Sequence, residues 1–304
     1  MSVRHIDILD LPSLPNCFRN MLPLDSARML TRGNPLGAVA LIDHLNPRDH
    51  IYTAVSKEND IFLMGQVALA IEETYARLTF LAPAESFEPA IALLDHLAVQ
   101  AGAWGALHVL AEVDEHSPAF KEFRRAEFSM YAWQRIWRLS APLKEYESGW
   151  QKTTARDLPA IHSLYSQIVP ALIQPMEAMP RKPSGLVCCT EDNIQAYVAM
   201  TSGPAGIWIQ PLIHPDAAGV SEKLAALLAE IHGQHGRPVF ICVRSYQAWL
   251  EAVLEELGAE AGPRQAVMIK HLAAAIKSPL TAPAAKQPAI SVQPSTISKV
   301  EKAE

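Results

Sequence analysis

The sequence predicts an α/β (α+β) protein made of two tandem copies of one unit, each a mixed, mostly antiparallel sheet with helices on both faces. Three observations predict it. Two blocks of residues recur along the chain in the same order. Each is preceded by a run of extended segments and followed by a helix and a strand. In both halves a helical period separates two short apolar strands, which is the pattern of a crossover.

The repeat is read from anchors. Gly102 corresponds to Gly236, His108 to Cys242 and Val109 to Val243, each pair 134 residues apart. Upstream, Asp10-Leu11-Pro12 corresponds to Asp157-Leu158-Pro159 at 147 residues, so the first copy carries an insertion between its anchors. Self-similarity at two anchors in one order is an architectural signal.

In the first copy, strands are predicted at 50–56, 61–71 and 75–82. Residues 88–101 follow as a helix, with Ile91, Leu94 and Leu97 at helical spacing. Pro89 stands where a missing N–H costs nothing, and Gly102 ends the helix. The apolar stretch 106–113 is the next strand. The crossover helix makes it parallel to 75–82. Ser117 and Pro118 open a second helix, and two aromatic-rich extended segments between Phe128 and Leu139 close the copy. The second copy reads as strands 185–190, 194–201 and 206–213, then helix 221–235 ended by Gly236 and strand 238–243. Helix 245–257 follows, stopped by Gly258, and a last strand lies at 265–272. The expected domains are 1–140 and 151–275, joined near 141–152. Beyond Lys277, residues 278–304 hold scattered Pro, Ser and Ala with no apolar period, and are expected to be a disordered tail.

Composition narrows the function. A chain of 304 residues with 49% hydrophobic and 19% charged residues has the material for two domains with a sizeable core. The formal net charge is −6 and no Lys/Arg cluster offers a phosphate-binding face, so nucleic acid is not an expected partner. Lys121, Arg124 and Arg125 read as a solvated helix face. No apolar segment approaches the roughly 20 residues of a membrane helix. His5, Asp7 and Asp10 interrupt the N-terminal apolar stretch, which argues against a secretory leader, and the expected compartment is the cytoplasm. Cys17, Cys188, Cys189 and Cys242 lack metal-ligand spacing and read as small buried hydrophobes, so no metal is expected.

This order of elements resembles the GNAT superfamily, the acyl-CoA-dependent N-acetyltransferases, over about residues 3–140 and 151–272. The resemblance implies acetyl-CoA or another acyl-CoA as co-substrate. Pantetheine would lie in a gap between the splayed fourth and fifth strands. The pyrophosphate would sit on backbone N–H groups of an R/Q-x-x-G-x-G/A loop at a helix start, where such groups have no partner of their own. A tyrosine on the next helix often returns a proton to the thiolate. Both copies depart from these patterns. In the first, Ser86 stands at the Arg/Gln position and Phe87, Pro89 and Ile91 lie near the glycine positions. In the second, Ala218 and Gly219 occupy the loop. The tyrosine is replaced by Phe123 in FRRAEF and by Leu254 in LEELGA, neither of which can give a proton.

The resemblance therefore places acyl-CoA first in the second copy, at Leu212, Ile213, Gly219, Val220 and Ser221. Candidate catalytic groups are Glu112 and Asp114, which follow the fifth strand of the first copy, and Tyr246, which follows that of the second. His108 reads as a sheet residue, Ser245 as a helix cap and His214 as a turn residue. The set Trp104, Trp133, Trp137, Trp208 and Trp249 reads as core and inter-copy packing. The expected partners are an amine acceptor (a small-molecule amine, or a protein N-terminus or lysine) and a second copy of the chain in a homodimer. Two functions stay open: an N-acyltransferase, and a non-catalytic GNAT-like ligand-binding or assembly module with degenerate CoA sites.

Overall fold

The computed structural model describes residues 2–37, 49–58, 61–71, 73–85, 87–139, 149–177, 184–190, 193–235 and 237–272. Ser86, Gly236, the junction at 140–148 and the tail expected from residue 278 lie outside the described residues. Met1–Ala273 form one compact unit.

The first half opens with β1 (Ser2–His5), α1 (Leu14–Arg19), β2 (Leu22–Pro23) and α2 (Ser26–Arg32). An antiparallel run follows: β3 (Asp49–Glu58), β4 (Ile61–Ala70) and β5 (Tyr75–Ala82). The crossover α3 (Ala90–Ala103) leads to β6 (His108–Asp114), which runs parallel to β5 as predicted. Then come α4 (Ala119–Arg125) and β7 (Ser129–Leu139). The two closing segments predicted here are one continuous strand. The second half holds β8 (Trp150–Lys152), α5 (Leu158–Ile168), β9 (Gly185–Thr190), β10 (Asn193–Ser202) and β11 (Ile207–Ile213). It ends with α6 (Val220–His235), β12 (Val239–Arg244), α7 (Leu250–Glu256) and β13 (Glu260–His271). Residues 245–247 form a 3-10 turn ahead of α7, and β13 starts five residues before the predicted strand.

Each half packs helices on both faces because its strands alternate. In β5, Ala76 and Leu78 point to one face, while Tyr75 and Arg77 point to the other. Leu93, Leu94 and Leu97 of α3 cover the first face, with Leu63, Val67 and Val109. Cys17 of α1 covers the second, with Val55, Met64 and Phe80. In the second half, Leu224, Leu227 and Leu228 of α6 pack on Ile207, Ile209 and Ile241. Ile161 and Leu164 of α5 cover the opposite face at Val187 and Leu212.

The two halves merge into one sheet of order β1-β3-β4-β5-β6-β13-β7-β12-β11-β10-β9-β8. The last strand of each half has changed places. β13 pairs with β6 from Gln265–Asp114 to His271–His108, and β7 pairs with β12 from Leu139–Val239 to Gln134–Arg244. The exchange includes the cores: Ala266 and Met268 join the first-half core, Trp137 and Leu139 the second. The helix before each exchanged strand repeats at 131 residues rather than 134. Phe123 and Leu254 both accept an N–H from five residues on, and Glu127 and Gly258 take the same left-handed conformation between. Among the described residues no helix is long and apolar enough to cross a membrane. Cys17, Cys188 and Cys242 are buried as expected, whereas Cys189 is exposed, because neighbours on a strand face opposite ways.

Candidate functional site in the gaps and between the halves

Pairing between β5 and β6 stops after three residues, at Arg77–Leu110, and the strands part. The first half fills this gap with its own chain. Leu22 and Pro23 pair with Leu81 and Phe80. The Leu24 N–H donates to the Thr79 carbonyl at 2.9 Å, and the Leu24 carbonyl accepts from the Glu112 N–H at 2.9 Å. The Leu24 backbone thus bridges β5 and β6, and its side chain is 1% exposed in the core. The Ser26 N–H then donates to the Glu112 carboxylate at 2.9 Å.

The second half parts at the equivalent place, after Ile209–Ile241. Here a side chain spans the gap. The Gln247 amide donates to the Pro211 carbonyl at 2.8 Å and accepts from the Ile213 N–H at 2.9 Å. Gln247 is 2% exposed. Beyond the gap, Gly219 turns the chain with φ of 65°, and Val220 opens a 16-residue helix. Glu222 sits in the first turn, and its carboxylate is 3.5 Å from the point a Gly219 Cβ would occupy. A carboxylate there competes with an incoming phosphate for the same positive helix end.

The gaps open onto a cavity of about 430 Å³ on the α1/α2/α5 face of the sheet, walled by both halves. α2 belongs to the first half and packs on β10 and β11 of the second; the Thr31 carbonyl accepts from the Ala205 N–H at 2.9 Å. The floor is polar. From the first half come Asp25, Arg77, Glu112 and Tyr131; from the second, Glu177, Arg244 and Tyr246. Ala68, Met176, Trp208 and Leu212 add apolar wall.

At the second-half end the charges are matched. Arg244 Nε is 2.7 Å from Glu177 Oε1, and the guanidinium also donates to Gln134. The Tyr246 hydroxyl donates to Glu177 Oε2 at 2.5 Å. Burial, reinforced by Glu177, raises the Tyr246 phenol well above its ordinary value, so it stays a donor. At the first-half end Asp25 caps α2 through the Arg28 N–H at 3.1 Å. Burial raises its carboxyl; the Arg77 charge opposes this and Glu112 adds to it. Arg77 lies 5.2 Å from the Tyr75 ring centroid. Burial acts to lower its value, but Asp25, Tyr75 and Glu112 together raise it, so it stays a cation. Tyr131 couples to both ends, to Arg244 and Glu177 on one side and to Arg77 and Glu112 on the other; its phenol is raised, chiefly by burial.

Of the residues singled out in the sequence, Glu112, Tyr246 and Leu212 line this cavity. Asp114 does not: it caps the following turn through the His116 N–H at 2.8 Å. Ile213 points into the second-half core, Gly219 ends the loop before α6, and Val220 and Ser221 are the first two residues of that helix; none of the four lines the cavity. Trp208 is a cavity wall as well as packing. Asp25, Arg77 and Glu177 went unremarked in the sequence, and Tyr131 counted only as one of the aromatic residues of the closing extended segments. For Arg77 a signal existed: an arginine inside the apolar strand YARLTFLA has to be matched by something polar.

Comparison with solved structures gives the fold an independent reading. A GCN5-related N-acetyltransferase from Sphaerobacter thermophilus superposes with a TM-score of 0.53 at 13% identity, over 89% of this chain and 95% of that one. A tandem GNAT protein from the clavulanic acid biosynthesis pathway gives 0.50 at 16% identity, over 89% and 98%. No protein-family profile and no curated protein sequence matches the chain.

Proposed function

With the tandem GNAT fold as the premise, we propose that this chain is a non-catalytic ligand-binding module whose ligand seat is the cavity between its halves. One observation carries the reading: in both halves the strand edges that a pantetheine arm would use already have protein partners. A ligand entering the first gap would have to displace the backbone of Leu22–Leu24 and bury no better partner in exchange. Losing such hydrogen bonds and the Leu24 contact costs several kcal/mol, about 1 for each hydrogen bond and 2–3 for the side chain. The residues of the first half do not fit acyl-CoA.

A second reading, acyl transfer from acyl-CoA to an amine, is favoured by one feature. The second gap is closed by a side chain, and a side chain can rotate away. Leu212 and Tyr246 would then stand where the gap meets the cavity. Titration calorimetry with acetyl-CoA separates the two. The module reading expects no saturable binding to the native protein at millimolar ligand, and no release of free CoA thiol when amines are added. Thiol release by the native protein overturns it. Gln247→Ala opens the second gap; binding that appears only in this variant identifies the amide as the plug.

A further inference from the structure

We propose that the cavity takes an amino-acid-like zwitterion, its carboxylate on Arg77 and its ammonium group among Glu112, Asp25 and Glu73; this rests on the cavity being the ligand seat.

The two ends of the cavity differ in what they leave open. Arg244 is engaged by Glu177 at 2.7 Å and by Gln134. Arg77 projects from β5 into the same cavity, and among the described residues no carboxylate is in ion-pair contact with it. A guanidinium carries five donors in a planar fork suited to a carboxylate, and an enclosed one needs acceptors. Arg77 alone would therefore select an anion. Its surroundings oppose that choice. Asp25, Glu112 and Glu73 all act on its charge. Glu112 lies two residues beyond Leu110, the register partner of Arg77, and so on the same face. Its carboxylate is held by the Ser26 N–H, while Asp25 is held by the Arg28 N–H. Arg28 adds a weaker cationic influence at Asp25. A simple carboxylate would face this excess of negative charge, and a simple amine would face Arg77. A molecule carrying both groups satisfies both. Tyr131 stands between the two ends, and its hydroxyl has no hydrogen-bond partner among the described residues. Trp208 and Leu212 offer apolar wall for a side chain, and 430 Å³ accommodates a free amino acid.

The test is a panel of the free amino acids, read by thermal shift and then by calorimetry on the full chain. At least one is expected to bind with one-to-one stoichiometry. Its analogues lacking the amino group or the carboxylate are expected to bind at least tenfold more weakly. Arg77→Gln should abolish binding; should that variant unfold, Tyr131→Phe, which removes only an unpartnered hydroxyl, should fold normally and weaken binding several-fold. Equal binding of either single-charge analogue overturns the zwitterion assignment but leaves the cavity as the seat. Cavity binding of a neutral compound that is indifferent to Arg77→Gln does the same. If no panel member binds while acetyl-CoA does, the cavity reading falls with it.

Discussion

Gly203 has no room for a side chain, since a Cβ there would lie 2.2 Å from the carbonyl oxygen of Thr31. The neighbouring atom is backbone and cannot swing aside. The contact also seats α2 over the second-half sheet and so forms one wall of the cavity. Gly203→Ala is expected to cost about 2–3 kcal/mol in urea unfolding, by forcing the helix away. The same contact explains what single residues could and could not disclose. Glu112 and Tyr246 stand out in the sequence because they lie at the ends of apolar stretches, Glu112 inside β6 near its end and Tyr246 just after β12, and both reach the cavity. Asp114 has the same credentials, but it ends in a turn. Tyr131 carries no local mark of its surroundings, because Arg244 and Glu177 arrive from the other half, whereas the carboxylates around Arg77 (Asp25, Glu73 and Glu112) are spread along its own half. A site assembled across two copies is not written in either one.

Most elements were legible from period and punctuation. The crossover helix, the parallel pair it imposes and the strands 75–82 and 185–190 follow from apolar spacing, proline and glycine. Strand partnership was not legible, because both β7 and β13 follow a helix that closes their own half and nothing local in either names the strand it pairs with. The exchange creates a contact that only β6 and β13 can make: His108 and His271 face each other with Nδ1 atoms 3.1 Å apart. One ring must be neutral to accept the bond. Burial, and then the charge of His271, lower the His108 value below its ordinary 6.5. A lowered native value means that the stability is fully present above pH 6.5 and is lost as pH falls through the native value. Urea midpoints should therefore drop between pH 7.5 and pH 5. In His271→Gln that drop should be smaller, and a slope identical to the native protein's would exclude the pair as its origin.

At the scale of the molecule, the exchanged strands make each half depend on the other. Without β13 the edge of β6 is unpaired and the first-half core lacks Ala266 and Met268. A fragment of residues 1–139 is expected to lack cooperative unfolding by circular dichroism, and so is one of residues 149–272. Mixing the two should restore it. Independent folding of either fragment would show that the exchange is dispensable. The same wiring sets a timetable for synthesis. The strand that completes the first half, β13, leaves the ribosome some 120 residues after β7. At roughly 5–20 residues per second, β6 waits about ten seconds with an open apolar edge. During that interval the nascent chain is exposed to pairing with a neighbour's strand, and a chaperone that shields edges would serve it before the second half emerges.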